Sequence, residues 1–358
     1  MIARKLYRWS IDRINGRFIT GWCFNRLHKT RPVTIVAAAD KTVLGEFVND
    51  GYRSDLVELK LHPSGVCAFD FSFPADFDPG RFGTFYLYFD SLKTPFAAVD
   101  CKDIELLRPQ RPQPVCFMHI PKTAGTSFNS FARQCYPGNR FSTHLERYER
   151  ERRVREAEGA AYCAGHLPLS ELQELPVARF SLYSIIREPY AHVHSHLNYV
   201  RQVRPGMFAE QHYTYRHNDT VKGLSDELNR IDFSAPEAIG AFAHGLSGFE
   251  RDFFDNMQTR YFLDYRPDRV GPEELARAQA NLDRFTSVGL TEDYDAFRDR
   301  FCAEFGLPVQ PQELRSNTAP SYRLFDLQDT RIREALNPLV TYDLELYRYA
   351  AERFRQNR

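Results

Sequence analysis

The sequence predicts a two-part chain: a small all-β, sandwich-like domain, then an α/β domain whose parallel sheet is covered by helices. Three observations predict it. Up to residue 104, short runs of alternating apolar residues recur between Gly, Pro, Asn and Asp, the period of half-buried strands. Then Pro109, Pro112 and Pro114 fall close together, which blocks helix and ladder alike and leaves a stiff extended spacer. From Val115 onward, short apolar runs alternate with stretches of helical spacing, the order that builds a parallel sheet under helices. The expected boundaries are 1–104 for the β domain, 105–114 for the linker and 115–358 for the α/β domain.

Within the β domain, Arg17–Phe24, Val33–Ala38, Ala68–Phe73 and Thr84–Phe89 read as strands. Phe69, Phe71 and Phe73 put one face of their strand into a core. In the α/β domain, Val115–Ile120 is a buried strand. Phe128, Phe131, Ala132 and Cys135 mark the inner face of the helix that follows. Tyr162–Ala164, Leu182–Ile186 and Thr286–Val288 are further strands. Glu146–Glu158, dense in Arg and Glu, reads as a solvated helix with Glu149/Arg153 and Glu151/Arg155 spaced for ion pairs.

Composition excludes several classes. Of the 358 residues, 47 are Lys or Arg and 47 are Asp or Glu, so the basic excess of a nucleic-acid binder is missing. Any anion site must be local. The 7 cysteines are scattered with no Cys-x-x-Cys spacing, which predicts buried thiols rather than zinc or redox chemistry. No leader-like N-terminus and no run of about twenty apolar residues is present. A cytoplasmic protein is the expectation, with no transmembrane segment, compatible with peripheral membrane contact.

The sharpest local signal is His119-Ile-Pro-Lys-Thr-Ala-Gly-Thr-Ser127, a strand passing through a loop of small residues into a helix. Ala124 and Gly125 let backbone amides approach an anion. Thr126 and Ser127 open a helix whose free N–H groups favour phosphate or sulfate, and Lys122 adds a charge there. It is not a Walker A loop, where the lysine follows the second glycine; here Lys122 precedes Gly125. An acidic strand end for magnesium is also not evident, which leans away from ATP.

A second segment, Ser184-Ile-Ile-Arg-Glu-Pro-Tyr-Ala-His-Val-His-Ser195, has an arginine at a strand end, a proline to begin a helix and a serine about two turns on. An arginine fork suits a phosphate dianion. His166, in Ala164-Gly-His-Leu167, sits at a strand end where α/β sheets gather ligands, and histidine is the natural group to take a hydroxyl proton. His144 is the reserve base, and His119 packs beside the loop. His192, His194 and His196 lack a third ligand and make a poor metal site.

Together, Pro121–Ser127 and Ser184–Ser195 resemble the sulfotransferases related to heparan sulfate 2-O-sulfotransferase in their bacterial form, and Gly21–Phe24, Arg53–Leu56 and Gly65–Phe71 resemble an accessory β module attached to bacterial glycosyl- and sulfotransferases. The resemblance spans about 115–355. It implies a P-loop-like fold, 3′-phosphoadenosine 5′-phosphosulfate (PAPS) as donor, no metal, and a glycan or glycolipid hydroxyl as acceptor. It assigns the phosphosulfate to Lys122, Thr123, Ala124, Gly125, Thr126 and Ser127, the 3′-phosphate to Arg187 and Ser195, and the base to His166. Asn317, in Ser316-Asn317-Thr318, resembles a late loop that can approach the nucleotide, and Arg260, in Asn256–Phe262, falls near the active site. Glu188 stands where the family usually has aspartate, and His192 where it often has a second arginine. Two rivals remain: a P-loop kinase of a small molecule or sugar, and a non-catalytic glycan-binding protein that kept the fold.

Overall fold

The computed structural model describes residues 2–90, 92–203, 219–308 and 324–356. The chain forms two compact units, one of residues 1–109 with 131–141, the other of residues 110–130 with 142–358.

The first unit holds two four-stranded antiparallel sheets. One has the order β1-β2-β6-β5, with β1 Tyr7–Ile14, β2 Phe18–Asn25, β5 Gly51–Tyr52 and β6 Val66–Ser72. The other is β4-β3-β7-β8, with β3 Thr34–Ala39, β4 Thr42–Val48, β7 Thr84–Phe89 and β8 Ala97–Asp100. Ile19, Cys23 and Phe69 of the first sheet share one core with Ile35, Phe85, Leu87 and Phe89 of the second, so the pair is a sandwich. Phe69 and Phe73 are buried and Phe71 packs on the same core, while Asp70 and Ser72 face out, as the alternation predicts. The four strands read from sequence are β2, β3, β6 and β7, the inner strands of their sheets. The edge strands β1, β4, β5 and β8 were not among them; they have at most one buried residue each, and Trp9, Ile11, Leu44, Phe47, Ala97 and Val99 are only partly buried against the core.

The second unit is mixed α/β. Its five-stranded sheet has the order β10-β11-β9-β12-β13, with β9 Val115–Met118, β10 Phe141–Ser142, β11 Tyr162–Gly165, β12 Ser181–Ile186 and β13 Ser287–Leu290. Pairings β11–β9, β9–β12 and β12–β13 are parallel. Every residue of β9 and β11 is buried, as in a parallel sheet covered on both faces. The strand earliest in sequence among the four parallel ones, β9, lies between the next two, β11 and β12. The chain therefore leaves β9 and returns on opposite sides, which opens a crevice at the carboxyl ends of these strands. The long helix Thr330–Gln356 packs Leu336, Leu339 and Val340 against Leu197 and Val200. In the Arg/Glu-rich stretch, a 3-10 turn at Leu145–Arg147 precedes the helix Arg150–Gly159. There Arg153 pairs with Glu171 rather than Glu149, and Arg152 pairs with Glu156. All seven cysteines are buried thiols. No helix among the described residues is long and apolar enough to cross a membrane.

Candidate functional site

The loop after β9 has a backbone geometry suited to cradling an anion. Lys122 and Ala124 both adopt left-handed backbone, with φ of 67° and 65°, and alternation of hand along a short stretch turns successive N–H groups to one side. Among the described residues, the N–H groups of Thr123, Ala124, Gly125 and Thr126 find no backbone acceptor. The helix Gly125–Cys135 begins here with no acidic residue in its first turn, so its positive end is left for a ligand. The buried Thr123 hydroxyl donates to the Ile120 carbonyl at 2.9 Å and braces the turn. Gly125 is required by close approach rather than by φ: a Cβ there would stand 2.1 Å from Cδ2 of His119.

Two cations flank the loop. Arg187, following β12, donates from Nη1 to the Lys122 carbonyl at 3.2 Å. The Lys122 ammonium lies 4.8 Å above the Tyr199 ring. Burial, and then the charge of Arg187, lower the pKa of Lys122, so an anion placed between the two would relieve both. Gln258 clamps Arg187 by its backbone, accepting from its N–H at 2.8 Å and donating to its carbonyl at 2.9 Å. Gln258 is itself held by Asp343, which accepts from the N–H groups of Gln258 and Thr259 and from the Thr259 hydroxyl. Asn256, at φ 47°, caps backbone groups of the C-terminal helix near Pro338, accepting from Tyr342 and Asp343 and donating to the Pro338 carbonyl. Asn256, Gln258 and Thr259 thus serve packing and capping. Arg260, expected near the active site, has its guanidinium spent elsewhere. It bonds Asp252, Asp255 and the carbonyls of Asp255, Pro267 and Asp268.

The helix Pro189–Arg201 begins at the proline as expected. Glu188 caps it by accepting from Ala191 N–H at 2.8 Å, so glutamate does there what a shorter acid would. Ser195 is half-buried on this helix. His192 is fully buried and donates from Nε2 to the Pro121 carbonyl at 2.9 Å, tying the helix to the cradle. Its pKa falls to about 4, chiefly through burial. His194 accepts from Leu324 N–H, and His196 lies against Phe253 and Phe254. The three histidines therefore serve separate contacts. Asn317 lies outside the described residues.

At the ends of β9 and β11 a second cluster forms. His166 and His119 have ring centroids 4.2 Å apart. His166 Nδ1 stands 2.7 Å from the His119 carbonyl, so Nδ1 carries the proton and Nε2 keeps its lone pair. Glu146 accepts from the His166 N–H at 2.9 Å with one oxygen and meets His144 Nδ1 at 3.0 Å with the other. Burial alone would raise the Glu146 pKa; the His144 hydrogen bond and the neighbouring His166 outweigh it and hold it at about 2. For His166 burial wins and lowers the pKa, against the raising effects of Glu146 and the His119 carbonyl. His119 is lowered well below the ordinary range by burial and then by its histidine neighbours. His144, Glu146 and His166 also form the group among the described residues whose ligand atoms lie near enough to hold a metal ion, within 4.8 Å of one another. Glu146 was missed as a site residue because its sequence context reads as a charged helix.

The cradle, Arg187 and His166 thus sit at the carboxyl ends of three adjacent parallel strands. No family model, no curated protein and no solved structure matches the chain.

Proposed function

We propose that the second unit is a P-loop-like sulfotransferase that moves a sulfuryl group from PAPS to a hydroxyl of a glycan or glycolipid. The observation that carries the reading is the convergence of an amide cradle, two cations and a histidine with one free ring nitrogen. Such a site suits transfer between an anionic donor and an alcohol. Lys122, the amides of Thr123, Ala124, Gly125 and Thr126, and the hydroxyl of Ser127 hold the phosphosulfate, the Ser127 N–H being given to the Ala124 carbonyl. Arg187 and Ser195 take the 3′-phosphate, with Asn317 reaching the nucleotide. His166 Nε2 accepts the acceptor hydroxyl proton as the new O–S bond forms. The S–O bond to the 5′-phosphate breaks in line, and its electrons leave on that phosphate, where the cradle stabilises them. His144, whose Nδ1 is engaged by Glu146, is the alternative base.

The test is transfer of labelled sulfate from PAPS to a panel of neutral oligosaccharides and glycolipids. A general base works neutral, and burial holds His166 below its ordinary value. Turnover is therefore expected to be full at pH 7 and to fall only below about 6.5. His166→Ala is expected to lose about 100-fold or more in turnover together with that acid limb. A full loss in His144→Ala with His166→Ala active would transfer the role to His144.

A further inference from the structure

The first unit carries a feature that this chemistry does not use. The segment 26–32, after β2, is exposed throughout. It contains Arg26, His28, Lys29 and Arg31 and no acidic residue, and Leu27 at its tip is 73% exposed. Beside it runs the segment 57–63, where Leu59 is 65% exposed and Lys60 turns the chain at φ 55°. His62 staples the two. It is buried, its Nδ1 accepts from the Gly65 N–H at 3.0 Å, and its Nε2 therefore donates to the Lys29 carbonyl at 2.6 Å. The Lys29 ammonium reaches toward the Leu61 carbonyl at 3.5 Å. Lys29, Val57, Lys60, His62 and Pro63 line an open pocket of about 350 Å³.

We infer that this pair of loops docks the protein on an anionic lipid surface. Leu27 and Leu59 enter the interface, and a headgroup phosphate sits in the pocket between Lys29 and Lys60. The charge argument is local. None of Arg26, Lys29, Arg31 and Lys60 forms an ion pair among the described residues, and Glu58 is the one acid in either segment, on a chain whose formal net charge is zero. Exposed aliphatic tips ringed by cations with no acidic partner among the described residues fit a negatively charged bilayer. A sugar would want an aromatic platform, but Trp22 is stacked on Phe24, with centroids 5.9 Å apart, and packs into its own small cluster. The inference stands apart from the proposed chemistry, although a surface holding a glycolipid acceptor is where it would serve that chemistry.

The test is co-sedimentation of the full chain with vesicles of phosphatidylcholine alone and with about one third phosphatidylglycerol. Binding is expected to the anionic vesicles only and to weaken with salt. Lys29→Ala with Lys60→Ala is expected to weaken it about 25-fold, roughly fivefold for each cation, and Leu27→Ser with Leu59→Ser roughly tenfold. All four positions are at surface loops, and melting curves matching the wild type confirm that each variant is folded. Equal binding to both vesicle types, none to either, or binding that neither variant changes overturns the inference. So does inorganic phosphate at millimolar level that abolishes binding while the leucine variant binds normally, which would mark a site for soluble phosphate. Binding of the desulfated donor nucleotide is read separately, so failure here leaves the donor site untouched.

Discussion

Lys122→Ala is expected to lower sulfuryl transfer by about 100-fold or more while leaving the fold in place. The ammonium lies beside Arg187 and over the Tyr199 ring, where burial already lowers its pKa. Charge developing on the leaving phosphate would be met there by a partly desolvated cation, which is worth more than the same charge in water. The substitution isolates that effect. Lysine and alanine are both L residues at φ 67°, so the backbone strain of the left-handed position, about 1–2 kcal/mol, is common to both. The checks are turnover with PAPS at saturation and a melting curve. Normal turnover in a folded Lys122→Ala protein would remove Lys122 from the chemistry.

A second large effect is acid instability centred on buried histidines. The pKa of His192 falls from 6.5 to about 4 in the fold, and His119, His166 and His196 are lowered as well. A lowered folded pKa means that the unfolded chain takes the proton first. The stability is complete above about 6.5 and is lost as pH falls toward the folded value. For His192 alone this amounts to about 3 kcal/mol. Asp343 acts in the opposite sense. Burial raises its pKa from 3.8 to about 6, against its hydrogen bonds from Thr259 and Gln258. The fold therefore regains about 3 kcal/mol as Asp343 is protonated between pH 6 and 4. These two nearly cancel, and the other three histidines decide the sign. The melting temperature is expected to fall between pH 6.5 and 4. In His192→Gln, which keeps an N–H donor for the Pro121 carbonyl, the fall should be shallower. An unchanged melting temperature across that range, or the same slope in the variant, would contradict this reading.

What was legible in the sequence follows a physical rule. Inner strands such as β6 announce themselves because one face must be apolar, whereas the edges β1, β4 and β8 bring mostly partly buried side chains, such as Trp9, Leu44 and Val99, to the core. The loop His119–Ser127 was legible because an amide cradle needs small residues and a helix start within one short stretch. The groups that position it were not. Gln258 reaches Arg187 and Asp343 reaches Thr259 across long stretches of chain, and no local pattern records such a pairing. Glu146 was hidden for a related reason. It shares its composition with the solvated helix beside it, and only the fold turns its carboxylate toward His144 and His166. His192 shows the converse: a position where the resembling family often has a second arginine here holds a neutral ring donating to the loop backbone.

The most direct test of the central claim is calorimetric titration of PAP, the desulfated nucleotide, into wild type and Arg187→Ala, with and without magnesium. Arg187 stands against the cradle, bonded to the Lys122 carbonyl, and its backbone is fixed by Gln258. The reading predicts binding that does not need magnesium and weakens by about tenfold or more in Arg187→Ala, as expected for a lost charge-assisted contact worth about 1.5–3 kcal/mol. Wild type that ignores PAP but binds ATP with magnesium would contradict it and make the second unit a kinase.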